Sequence, residues 1–112
     1  MIKEAQELNT IEGVDAFLGE HKLSFLYVST PDCSTCLALL SKLSELLANY
    51  PLIGFGHIDA NKVEEVAERF LILAAPTMLL MIDEREYLRE DRFVRFGPLK
   101  EKLDCIYEMY NS

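Results

Sequence analysis

Cys33 and Cys36 stand two residues apart in the run Cys33-Ser34-Thr35-Cys36. An apolar segment, Leu23-Ser24-Phe25-Leu26-Tyr27-Val28, precedes them across a break at Thr30-Pro31-Asp32. A helical pattern follows, to about Tyr50. The pair therefore sits where a strand turns into a helix. A helix N-terminus presents free N–H groups and about half a positive charge, which favours thiolate over thiol. Thiols so placed ionise below their usual value of about 8.5. The spacing lets one sulfur attack a foreign disulfide and the other resolve the mixed disulfide. Three neighbours tune this chemistry. Asp32 places a negative charge beside the first thiol and opposes its ionisation. Ser34 and Thr35 carry hydroxyls able to donate hydrogen bonds to sulfur, which favours it.

Other chemistries find less support. A zinc site needs about four ligands. Beyond the pair only Cys105, His21 and His57 could donate N or S, and none pairs with another at ligand spacing, so no metal is expected. Cys105 lies among Leu103, Ile106 and Tyr110 and reads as a small core residue or an inert half-exposed thiol. His21 falls at a helix end, where a cation suits the dipole. His57, inside a strand pattern, reads as structural. There is no Gly-rich phosphate loop and no Ser-His-Asp order that argues for a hydrolase.

The 112 residues suit one domain, 1–112, and half of them are hydrophobic, enough for a core without staples. Net charge is −8, from 19 acidic and 11 basic residues. That balance argues against nucleic acid and anionic membranes, which attract basic patches. The longest apolar stretch, Phe70 to Ile82, is interrupted by Pro76 and Thr77 and is too short for a membrane span. The first residues, Met1 to Glu7, hold no apolar signal core, so a cytoplasmic location is expected.

The elements that position the cysteines follow from periodicity. Asn9 and Glu12 match a capping box before Ile11, Val14, Phe17 and Leu18, with Gly19 as a stop. Residues before Asn9 suit a helix or a short edge strand. Leu23 to Ser29 is a continuous apolar run, as in a strand covered on both faces. Ser34 to Asn49 reads as a helix burying Leu37, Leu40, Leu43 and Leu47, closed by Pro51. Leu52 to Asp59 is the next strand. Asn61 and Glu64 repeat the capping-box pattern before a short helix burying Val63, Val66, Ala67 and Phe70. Thr77 to Ile82 and Tyr87 to Val94 are strands joined by the turn Asp83–Glu86, hence antiparallel. Gly97-Pro98 opens a last helix with Leu99, Leu103, Ile106 and Tyr110 on one face. The order predicts an α/β, three-layer sandwich around a mixed sheet of four or five strands.

With these landmarks the chain resembles the thioredoxin family. The resemblance rests on Phe25-Leu26-Tyr27-Val28, on Cys33-Ser34-Thr35-Cys36, on Ile58-Asp59 ending the next strand, and on Ala75-Pro76-Thr77, with Pro76 forty residues after Cys36. Gly97 before the last helix adds to it, and the likeness runs through the whole chain from about Asn9. It implies the thioredoxin-like α/β/α sandwich. It also implies that Cys33 is the exposed nucleophile and Cys36 the buried resolving thiol. Pro76 would be the family's cis-proline beside the dithiol, leaving Ala75 to pair with an extended peptide and Thr77 to open the strand. No cofactor is implied beyond a redox-active Cys33–Cys36 disulfide.

Three departures stand out. The family commonly has Trp where this chain has Asp32, and Gly-Pro where it has Ser34-Thr35. It usually carries a buried Asp six residues before the first cysteine, the proton acceptor for the resolving thiol; here Tyr27 occupies that position. The Lys that partners this Asp is replaced by Phe55. The usual route for deprotonating Cys36 is therefore missing or replaced by solvent. The expectation is a thiol–disulfide oxidoreductase of cell redox homeostasis, a monomer acting on a disulfide-containing protein or a small thiol. By family analogy it would be recharged by a flavin-dependent disulfide reductase. The alternatives are a non-catalytic binding or adaptor module and a redox sensor.

Overall fold

A computed structural model describes residues 2–111. In chain order the elements are β1 (Gln6–Glu7), α1 (Ile11–Glu20), β2 (Leu23–Ser29), α2 (Ser34–Leu47), β3 (Ile53–Asp59), α3 (Glu65–Arg69), β4 (Thr77–Ile82), β5 (Arg85–Glu90) and α4 (Phe96–Asn111). The five strands form one sheet in the order β1-β3-β2-β4-β5. β1, β3 and β2 run parallel, while β4 and β5 are antiparallel.

Alternation along the strands divides the interior into two cores. Leu23, Phe25 and Tyr27 of β2 join Ile53 and Phe55 of β3 and Met78 and Leu80 of β4 on one face. Helices α2 and α4 cover that face through Leu39, Leu43, Leu47, Leu99, Leu103 and Ile106. Leu26, Val28, Ile58, Leu79 and Met81 point the other way, toward Val14, Phe17 and Leu18 of α1 and Val66 of α3. Every residue of β2 and β4 is buried, which is why both read as unbroken apolar runs. Gly56 lets α1 approach the sheet: a Cβ there would lie 2.8 Å from Leu8 Cδ1 and 3.1 Å from the Phe17 ring.

Several element boundaries differ from the sequence reading, each for a local reason. Thr10, not Asn9, caps α1, accepting a hydrogen bond from Gly13 N–H at 2.9 Å. Glu12 is thereby displaced from the third helical position. The Asn61–Glu64 box does not form. Asn61 N–H donates instead to Asp59 Oδ1 at 2.8 Å, the chain turns there, and α3 begins at Glu65 without a side-chain cap. Ala67 is exposed and Phe70 only half-buried. The β4–β5 hairpin is tighter than Asp83–Glu86. Asp83 and Glu84 take positive φ values of 51° and 67°, as a two-residue turn matching strand twist requires. So β5 resumes at Arg85, and it ends where Asp91 Oδ1 accepts the Phe93 N–H. Helix α2 ends at Leu47, before Pro51, and α4 starts one residue ahead of Gly97.

Candidate functional site

Register places the chemistry at one end of the sheet. β2 leaves the sheet at Ser29 and reaches Cys33 through Thr30-Pro31-Asp32. Thr77, the first residue of β4, pairs with Val28. The residues before it, including the cis Ala75–Pro76 peptide, therefore reach the sheet at the same end. Pro76 and Thr77 are buried and Ala75 is half-buried.

Cys33 is the N-cap residue of α2, and no side chain caps that terminus. The Cys36 N–H donates to the Cys33 carbonyl oxygen at 3.2 Å, and no acidic residue sits in the first turn, so the positive end of the dipole is left beside the cysteine. Cys33 and Cys36 are joined in a disulfide with Cα atoms 5.3 Å apart. Cys33 is half-buried and Cys36 is 4% exposed. Cys33 is thus the more exposed residue of the pair. Asp32, Ser34 and Thr35 are all exposed.

Tyr27 fills a different role from an acidic residue. Its hydroxyl donates to the Cys36 carbonyl oxygen at 2.6 Å. Burial pushes its pKa up to about 12, so it stays protonated at neutral pH and ties the first turn of α2 to β2. Phe55 packs edge-on to Phe25 with centroids 6.1 Å apart; neither replacement is a base.

Both cysteines line a cavity of about 180 Å³ with Tyr27, Ser29, Pro31, Leu37, His57 and Asp59 among its walls. Two of these, Leu37 and His57, differ from the sequence reading. Leu37 is 75% exposed beside the dithiol, and Leu39 takes the core position assigned to it. His57 is more than a packed strand residue. Its Nε2 lies 2.6 Å from Ser29 Oγ, and its Nδ1 lies 2.8 Å from both carboxylate oxygens of Glu7. Glu7 and Ser29 carry no motif; only the pairing of β1 with β3 and of β3 with β2 brings them to His57. Of the two readings for Cys105 the core one does not hold: the thiol is exposed on α4. Tyr110, expected on the buried face of α4, is 38% exposed. His21 ends α1, its ring nitrogen 3.0 Å from the Phe17 carbonyl. Among the described residues no group of three or more His, Cys, Asp or Glu side chains is placed to hold a metal ion, and no helix is long and apolar enough to cross a membrane.

A five-stranded mixed sheet between helices, with a dithiol at the start of α2 and a Pro-Thr step opening β4, defines a thioredoxin fold. The Thioredoxin family model matches residues 6–95. The chain is 43% identical over 111 residues to the thioredoxin-like protein YdfQ of Bacillus subtilis (strain 168), covering 99% of each. Among solved structures it superposes on Fasciola hepatica thioredoxin with a TM-score of 0.79 at 21% identity, over 89% of this chain and 97% of that one. Thioredoxin from Trypanosoma brucei brucei gives 0.81 at 17% identity, over 96% and 95%. The chain belongs to the thioredoxin family.

Proposed function

We propose that the protein is a thiol–disulfide oxidoreductase. Cys33 attacks a disulfide in a protein or small molecule, and Cys36 resolves the mixed disulfide. The observation that carries this reading is the asymmetry of the pair: a more exposed Cys33 at an uncapped helix N-terminus, bonded to a buried Cys36. Ala75, Pro76 and Thr77 border the groove for an extended substrate, and Asp32, Ser34 and Thr35 tune the first thiol. Leu37, 75% exposed, and Leu73, 98% exposed three residues before Pro76, offer apolar surface to a protein substrate. The disulfide itself is the redox centre, with no further cofactor. The chain works as a monomer in the cytoplasm, in redox homeostasis. A small thiol or a flavin-dependent disulfide reductase recharges it, and neither nucleic acid nor membrane takes part.

Equilibration with glutathione buffers, followed by alkylation and mass spectrometry, tests the reading. Cys33 and Cys36 are expected to exchange as one two-electron couple. Its potential is expected to be less reducing than the roughly −270 mV of thioredoxin itself, because Ser34-Thr35 replaces Gly-Pro. Exposed Cys105 labels in both redox states and serves as the internal standard. A pair that fails to equilibrate with glutathione would remove the basis for the assignment.

A further inference from the structure

We propose that Ser29, His57 and Glu7 form the proton path that serves Cys36, in place of a buried carboxylate. The proposal rests on the thiol–disulfide reading above and specifies how its second step proceeds.

The hydrogen bonds fix the direction of the path. A carboxylate only accepts, so the His57 nitrogen facing Glu7, Nδ1, carries the hydrogen in the neutral ring. Nε2 is then the free acceptor, and the Ser29 hydroxyl donates to it. Glu7 and Tyr27 flank His57 in register across β1, β3 and β2. The titratable groups facing the imidazole or sharing its cavity are Glu7 from β1, Tyr27 from β2, Asp59 from β3 and the two cysteines of α2. Tyr27 is held protonated by burial and already donates to the Cys36 carbonyl. Asp59 is engaged by the Asn61 N–H at 2.8 Å, whereas His57 Nε2 lies on the Ser29 hydroxyl. Imidazole is the group whose ordinary ionisation lies near neutrality, where a general base is most effective. The cavity of about 180 Å³ also has room for water, at about 30 Å³ per molecule.

The same hydrogen-bond order can activate a serine as a nucleophile. Here Ser29 is 7% exposed and shares its small cavity with both cysteines, so the thiol is the fitting partner.

The step balances as follows. After Cys33 has formed a mixed disulfide, the Cys36 thiol gives its proton to Ser29 Oγ, directly or through one water. Ser29 passes its own proton to His57 Nε2, and Glu7 stabilises the imidazolium. The Cys36 sulfur attacks Cys33 Sγ, the Cys33–Cys36 bond forms, and the bond to the substrate sulfur breaks. The electron pair leaves on that sulfur, which takes up a proton from the imidazolium or water. Over the cycle the dithiol loses two electrons and two protons, and the substrate disulfide gains both.

Quenched-flow mass spectrometry of the reduced protein with oxidised glutathione separates the steps. The glutathione adduct on Cys33 reports the first, and closure to Cys33–Cys36 the second. In wild type, closure is expected to slow on acidification, which takes the free Nε2 acceptor away from the path. His57→Gln is expected to slow closure at pH 7 by about tenfold or more and to leave adduct formation unchanged. Its closure should recover only as pH approaches the ordinary thiol range near 8.5. Glu7→Gln changes an exposed side chain on a two-residue strand, so it carries the test if the His57 variant does not fold. It is expected to slow closure in the same direction by a smaller factor. An adduct that closes in both variants with the wild-type pH profile overturns the proton path alone, as does loss of the acid limb in Asp59→Asn instead. If wild type forms neither an adduct on Cys33 nor the Cys33–Cys36 disulfide, the oxidoreductase reading falls and the path with it.

Discussion

Changing Cys36 to serine is expected to trap covalent complexes between Cys33 and disulfide substrates. Multiple-turnover reduction should fall by at least about a thousandfold, the scale on which enzymes lose rate when a reacting group is removed. Cys33 keeps its place at the start of α2, so the first attack proceeds. Without the second sulfur, release must wait for an external thiol. The adduct should survive on a non-reducing gel and map to Cys33 by mass spectrometry. Cys33→Ser should give none. Adducts that map to exposed Cys105, or that form equally well without Cys33, would contradict the assigned roles.

The largest expected loss of stability comes from Phe25→Ala. Phe25 is 1% exposed in the centre of β2, against Phe55. β2 lies between β3 and β4, so this ring is enclosed by the sheet on both sides and by α2 and α4 above. Emptying such a site costs about 3–5 kcal/mol, against a total of about 5–15 kcal/mol for a domain. Urea titration is expected to show the midpoint falling with the slope unchanged. A loss below about 1 kcal/mol would mean that the cavity collapses and that this core is softer than its burial indicates.

The parts of the fold that were legible in the sequence are those set by composition along a single element. β2 and β4 are buried on both faces, and their unbroken apolar runs fix Leu23–Ser29 and Thr77–Ile82 to the residue. The boundaries that moved depend on which of two adjacent polar groups takes a hydrogen bond. Asn9 and Thr10 both suit a cap, and Asp59 draws the N–H of Asn61 before a box can form. The two-residue hairpin is carried by Asp83 and Glu84 without glycine, so its left-handed φ angles leave no trace in composition.

The site divides in the same way. The dithiol is local, and its spacing and helix-start context were visible. The set around His57 is assembled by three strands, with Glu7 fifty residues from His57 and Ser29 twenty-eight. Two-residue β1 has no periodicity to announce it, so only the sheet register reveals that Glu7 faces His57. Leu37 fits a helical stripe in the sequence, but the buried stripe lies at Cys36, Leu39, Leu43 and Leu47, and Leu37 is left exposed beside the dithiol.

Reduction of insulin disulfides, with dithiothreitol as the regenerating reductant, tests the central claim most directly. Catalytic amounts of the wild-type protein are expected to bring insulin chain precipitation well ahead of the reductant-only control. Cys33→Ser and Cys36→Ser should each run with that control. A wild-type rate equal to the control, from protein whose Cys33 and Cys36 have been confirmed as reduced, would contradict the oxidoreductase reading and leave a thioredoxin fold used for binding.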